Sequence, residues 1–173
     1  MPDTALITDI GLNKIAAAAG NAFAVEITHV ALGNGGGAAY EPDFEQTALQ
    51  NEVIRRAIDQ RVRIEARTWL VRASFAADIV PVMQVREIGF FDGDGDLIVI
   101  VAGAGFQPRS LGGFDYILEQ PLTFDRAAEG VVVINAPDWE LFDHAVLNLE
   151  THAIVAAEQW DQRIMIRDLQ SAI

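Results

Sequence analysis

The sequence predicts an α+β fold: an N-terminal helix, a mainly antiparallel β-sheet with a hairpin near residues 85–101, and a C-terminal helical segment. Three observations carry that expectation. Apolar residues recur at helical spacing near the start of the chain. The β-rich runs "VREIGFF" and "LIVIVAG" flank the glycine–aspartate turn "DGDGD", which is a hairpin signature. Beyond Pro137 the chain holds neither glycine nor proline. Helices do not alternate with strands, which argues against a doubly wound parallel sheet.

In chain order, Thr8 is placed as the N-cap of a helix running to about Ala19, with Asp9 in the first turn against the positive end of the helix dipole. Leu12, Ile15, Ala16 and Ala19 form its apolar face, and Gly20-Asn21 stops it. Ala24 to Leu32 is rich in valine, isoleucine and threonine and reads as a strand. Gly33 to Gly37 is expected to be a flexible loop. Thr47 to Arg56 is ambiguous, and a short helix or irregular lead-in is favoured. A long strand from about Ile58 to Ala76 comes next, broken at Ala77 to Pro81. After the hairpin, Gln107 to Gly113 reads as a loop, and strands are expected near Phe114 to Phe124 and Gly130 to Asn135. From about Phe142 onward the pattern is helical, with Leu149, Ala153, Ala156, Trp160 and Ile164 on one stripe. That stripe is the candidate oligomer interface; covering the chain's own sheet is the alternative. Two units are therefore expected, residues 1–137 and 138–173.

Composition narrows the function classes. A chain of 173 residues with 51% hydrophobic residues suits a packed domain rather than disorder. Cysteine is absent, which removes disulfides, thiol nucleophiles and cysteine-held zinc. The formal charge is -13, with 25 acidic against 12 basic residues. Phosphate backbones and anionic lipid are repelled by such a balance unless a local basic patch intervenes. Lys14 is the one lysine, and the arginines are densest at Arg55, Arg56, Arg61, Arg63, Arg67 and Arg72, where alternation along a strand reads as a solvated face. Neither nucleic-acid binding nor membrane insertion is expected. The opening "MPDTALITD" lacks the features of a signal peptide, and the apolar stretch Leu97 to Phe106 is too short to span a bilayer.

Three groups resemble ligand sites and fall short of them. "GNGGG" at Gly33 to Gly37 lacks the lysine and hydroxyl residue of a phosphate-binding loop, since Ala38, Ala39 and Tyr40 come after it. Asp92, Asp94 and Asp96 would open a calcium loop, but its sixth and twelfth positions hold Leu97 and Gly103 instead of glycine and glutamate. A turn explains those aspartates without a metal. His29, His144 and His152 have no metal-site spacing, and Ser74, Ser110 and Ser171 sit in no nucleophile motif. No catalytic residue, metal or cofactor is expected, and the chain is read as non-enzymatic.

Four stretches in order, "ITDIGLNKIAAA", "ITHVALGNGGGAAYEP", "TALQNEVIRRAI" and "VREIGFFDGDGDLIVI", resemble the N-terminal domain of the phage tail-collar fibre family. The resemblance covers about residues 5–135. It implies a structural virion protein of a contractile tail or a phage-derived particle, assembled in the host cytoplasm, that attaches fibres to the baseplate and so supports host adsorption. It also implies baseplate proteins and further copies of itself, as a homotrimer, for partners, and no catalytic residues. In the family a long shaft and tip usually come after this domain, whereas here the sequence given ends at Ile173. A short fibre, an adaptor with a separate distal fibre chain, or a fragment are the readings this leaves. The alternative from another class is a carbohydrate-binding module contacting the host surface, whose signature would be exposed aromatics; Trp69, Trp139 and Trp160 are dispersed through the sequence.

Overall fold

The computed structural model describes residues 5–21, 23–77, 81–125 and 127–138. These residues form a mostly β domain with one α-helix among them, α1 (Asp9–Asn21), which corrects the α+β expectation. The helical segment expected over 138–173 lies, apart from Asp138, outside the described residues.

Eleven strands are present among the described residues: β1 (Ala5–Ile7), β2 (Val25–Gly33), β3 (Glu52–Ala57), β4 (Gln60–Glu65), β5 (Thr68–Phe75), β6 (Met83–Val85), β7 (Glu87–Asp92), β8 (Leu97–Val101), β9 (Arg109–Leu111), β10 (Tyr116–Thr123) and β11 (Val132–Ile134). The largest sheet has the order β1-β8-β7-β2-β11, with β3 also paired to β2. Along that edge of β2, β11 takes Val25 to Ile27 in parallel and β3 takes His29 to Gly33 antiparallel. A second sheet has the order β10-β5-β4, and β6 pairs with β9 as a two-stranded ribbon. All pairings of these strands except β11 with β2 are antiparallel.

The expected hairpin is β7 and β8, and every residue of both strands is buried. Burial on both faces explains the unbroken apolar run of β8, because neither pleat side meets water. On one side lies the main core, which joins Ile27, Val30, Phe90 and Val99 to Val71, Phe75, Leu118 and Leu122 of the second sheet. On the other lies a smaller cluster of Ala31, Leu49, Phe91, Leu97 and Ile100. Each buried valine, leucine, isoleucine or phenylalanine among them contributes about 1.5–3 kcal/mol, so the hairpin is anchored through both of its faces.

Three local expectations are corrected. The long strand over Ile58 to Ala76 is two strands, β4 and β5, with a turn at Ala66-Arg67 between them. The lead-in over Thr47 to Arg56 ends in strand β3 rather than helix. The buried face of α1 is Gly11, Ile15 and Ala18, while Ala16 and Ala19 are exposed. The helix rides so close to β8 that a Cβ on Gly11 would lie 2.6 Å from the Ile98 carbonyl oxygen. Ile15 is buried and Leu12 half-buried as expected, so the correction falls on the small residues, where Gly11 and Ala18 take the places expected of Ala16 and Ala19.

Candidate functional site

Thr8 caps α1 as expected: its Oγ1 accepts a hydrogen bond from the Gly11 N–H at 3.1 Å. The same hydroxyl donates to the Leu97 carbonyl, and the Thr8 N–H donates to the Ile98 carbonyl at 3.0 Å. The helix start is thereby pinned to β8, which carries Lys14 to the β7–β8 turn.

There the three aspartates converge. Lys14 Nζ pairs with Asp92, with Asp94 at 2.9 Å and with Asp96 at 2.7 Å. Asp92 is buried, and its other oxygen accepts the Asp94 and Asp96 N–H groups at 3.0 and 2.9 Å. The carboxylate ligand atoms lie within 4.8 Å of one another, close enough for one cation, and the ammonium of the chain's single lysine takes that place. Burial lowers the Lys14 pKa, but the hydrogen bonds it donates to Asp92, Asp96 and Asp94 outweigh that and hold it above the ordinary lysine range.

The glycine-rich loop also holds an anion, and that anion is internal. Glu87 is fully buried and accepts four hydrogen bonds: from the N–H groups of Gly35 at 3.0 Å, Gln50 at 2.8 Å and Asn51 at 2.8 Å, and from the Tyr40 hydroxyl at 2.6 Å. Four donors match an acceptor-only carboxylate, and a buried charge is tolerable only when so satisfied. Gly33 has no room for a side chain, since its Cβ would stand 2.4 Å from Glu87 Oε1. Gly35, Gly36 and Gly37 have φ of 61°, 66° and 92°, the left-handed region that glycine adopts without strain. The loop is thus a tight turn, closed by the Gly37 N–H donating to the Asn34 carbonyl at 3.0 Å, rather than the flexible connector expected. Burial first, then the bond to Glu87, pushes the Tyr40 hydroxyl above the ordinary tyrosine range.

A third site was not anticipated from the sequence. Arg61 and Arg63 stand over the Trp69 ring at 5.2 and 5.6 Å from its centroid, where the guanidinium groups meet the negative ring face. Together with Arg67, Phe124 and the turn Ala127 to Gly130, they line a cavity of about 200 Å³. Arg61 pairs with Asp138 at 2.8 Å and Arg63 pairs with Glu129. Arg67 donates to the Asp125 carbonyl at 2.9 Å and has no carboxylate partner among the described residues. Alternating arginines mark the strand in the sequence, but alternation alone reads as a solvated face. The ring they cover stands on the neighbouring strand, which single-strand periodicity does not reach.

Of the other candidates, His29 is half-buried and its Nδ1 lies 2.7 Å from the Thr28 hydroxyl. His144, His152, Trp139 and the stripe Leu149, Ala153, Ala156, Trp160 and Ile164 lie outside the described residues. Among the described residues, no helix is long and apolar enough to cross a membrane. The two internal clusters join the four stretches that carry the family resemblance. "ITDIGLNK" meets "FFDGDGD" through Lys14, and "GNGGG", Tyr40 and "QN" meet "REIG" through Glu87.

No curated protein and no solved structure matches the chain. Residues 1–114 match the family model described as phage tail-collar fibre protein, N-terminal; the chain belongs to that family, a family of structural phage tail-fibre proteins.

Proposed function

We propose that the chain is a non-enzymatic attachment domain, the fixed end of a tail fibre that binds the baseplate of a contractile phage tail or phage-derived particle. In this reading it supports host adsorption as a component of the virion tail, assembled in the host cytoplasm. The observation that carries it is the pairing of a family match over residues 1–114 with motifs that are filled from within. Lys14 sits in the acidic triad and Glu87 in the glycine-rich loop, so both serve to lock elements together. An anchor must transmit load without yielding, and buried, fully satisfied polar networks rigidify a fold.

Homotrimer formation is part of this reading. Obligate assemblies bury large apolar interfaces, and the stripe of Leu149, Ala153, Ala156, Trp160 and Ile164 is the sequence's own candidate for one.

The test is capture by baseplates prepared from particles that lack their fibres. Saturable binding of the purified chain, competed by intact fibres, is the expected result. Binding to host-surface glycans with no baseplate capture would replace the attachment reading with the carbohydrate-binding one.

A further inference from the structure

We propose that the loop Glu41 to Gln46 of one copy docks in the arginine–tryptophan cavity of a second copy, with Phe44 as its anchor. The inference rests on the proposed function, in which the chain assembles with itself, and assigns a surface to that assembly.

Both halves of the contact are present on each chain. The loop has the sequence Glu41-Pro42-Asp43-Phe44-Glu45-Gln46, and Phe44 is 53% exposed. Asp43 and Glu45 are exposed on either side of it, and neither forms a salt bridge among the described residues. The loop is already ordered. Phe44 accepts at its carbonyl from the Asp9 N–H at 2.8 Å, Gln46 N–H donates to the Asp43 carbonyl at 3.2 Å, and Gln46 Oε1 accepts from the Asp43 N–H at 2.9 Å. Little conformational freedom remains to be lost on docking, which favours binding.

The cavity is complementary in size and charge. Its 200 Å³ exceeds the cavity of about 150 Å³ that admits a benzene ring, so a phenylalanine ring has room. Trp69 and Phe124 supply apolar wall, and Arg67 supplies a guanidinium with no carboxylate partner among the described residues. An aromatic anchor in a pocket, ringed by charge pairs, is the usual form of an interface hot spot. The occupant is a second copy because chains of charge -13 repel one another overall. Self-association therefore needs a local match of opposite charge, and each chain carries one in the acidic loop and the Arg67 guanidinium, since Arg61 and Arg63 are already paired.

The full chain is measured by sedimentation equilibrium, alone and as two charge-reversed forms, Arg67→Glu and the double variant Asp43→Arg with Glu45→Arg. All three positions are exposed, so the parent's melting temperature is the folding control. The expected result is a self-associating parent and about tenfold or more weakening in each reversed form. An equimolar mixture of the two regains association, because each acidic cavity then meets a basic loop of opposite sign and each parent cavity an acidic parent loop. Phe44→Ser reads the same contact without changing charge, should a reversed form misfold. A parent that stays monomeric at every concentration overturns the proposal and leaves baseplate capture to judge attachment. Folded variants with the parent's association constant overturn it too and assign assembly to another surface.

Discussion

A single carboxylate fixes a long loop. Glu87 lies 52 residues from Gly35, 47 from Tyr40 and 36 from Asn51, yet it satisfies donors in all three. Replacing it by alanine leaves three backbone N–H groups and the Tyr40 O–H without their acceptor. Each such group costs about 1–3 kcal/mol when unsatisfied, and water entering the vacated space recovers part of that. We predict that Glu87→Ala loses at least about 3 kcal/mol by urea denaturation, with Glu87→Gln between it and the parent. A loss below about 1 kcal/mol for alanine would show that the loop holds its place by other means. The sequence sets Glu87 directly beside Arg86 in the run "VREIGFF" and so does not mark it as a buried, partnered group. The identity of the partners is hidden as well, because nothing local links residue 87 to residues 35, 40, 50 and 51. The glycines read as a flexible connector for the same reason.

Elements with strong local chemistry are legible in the sequence, and those defined by a neighbour are not. The β7–β8 hairpin declares itself through its turn and doubly apolar strands, and Thr8 declares the helix start. The β4–β5 turn at Ala66-Arg67 has neither glycine nor proline, so two strands read as one. On α1 the large Ile15 is placed correctly, but Gly11 and Ala18 are buried instead of Ala16 and Ala19, and the close approach of Gly11 to β8 has no signal in apolar spacing. Lys14 and Tyr40 tie elements together, and their pKa shifts give a pH signature. Both pKa values are raised on folding. The protonated forms are therefore favoured by the fold, and their stabilisation is complete below the unfolded values of about 10.4 for lysine and 10 for tyrosine. It is lost as pH rises through the folded values. We predict a melting temperature that is insensitive to these two groups from neutrality to about pH 10 and falls above it. In Tyr40→Phe the melting temperature is lower at pH 8, but the alkaline fall is shallower because one of the two titrations is gone. An alkaline fall identical in parent and variant would remove Tyr40 from this account.

At the scale of the molecule, the ordered succession of four stretches makes the family legible even though the fold class is overestimated in helix. Order and spacing survive in a sequence, whereas the balance of helix and strand depends on which segments find sheet neighbours. The described residues up to Asp138 contain both apolar clusters, both polar ties and both halves of the proposed loop–cavity contact. Arg61 donates its N–H to the Pro137 carbonyl at 2.9 Å and pairs with Asp138, so the last described residues belong to this network. A chain ending after Asp138 is therefore predicted to fold by itself, with a cooperative melt within about 4 °C of the parent, the shift expected for roughly 1 kcal/mol in a domain of this size. It is also predicted to keep self-associating, because the acidic loop and the arginine cavity both remain. Light scattering over a concentration series decides the second point. A truncated chain that melts like the parent but has lost all association would move the interface from the loop and cavity to the stripe of Leu149, Ala153, Ala156, Trp160 and Ile164. A truncated chain that no longer melts cooperatively would show that the core before residue 139 is incomplete without residues 139–173.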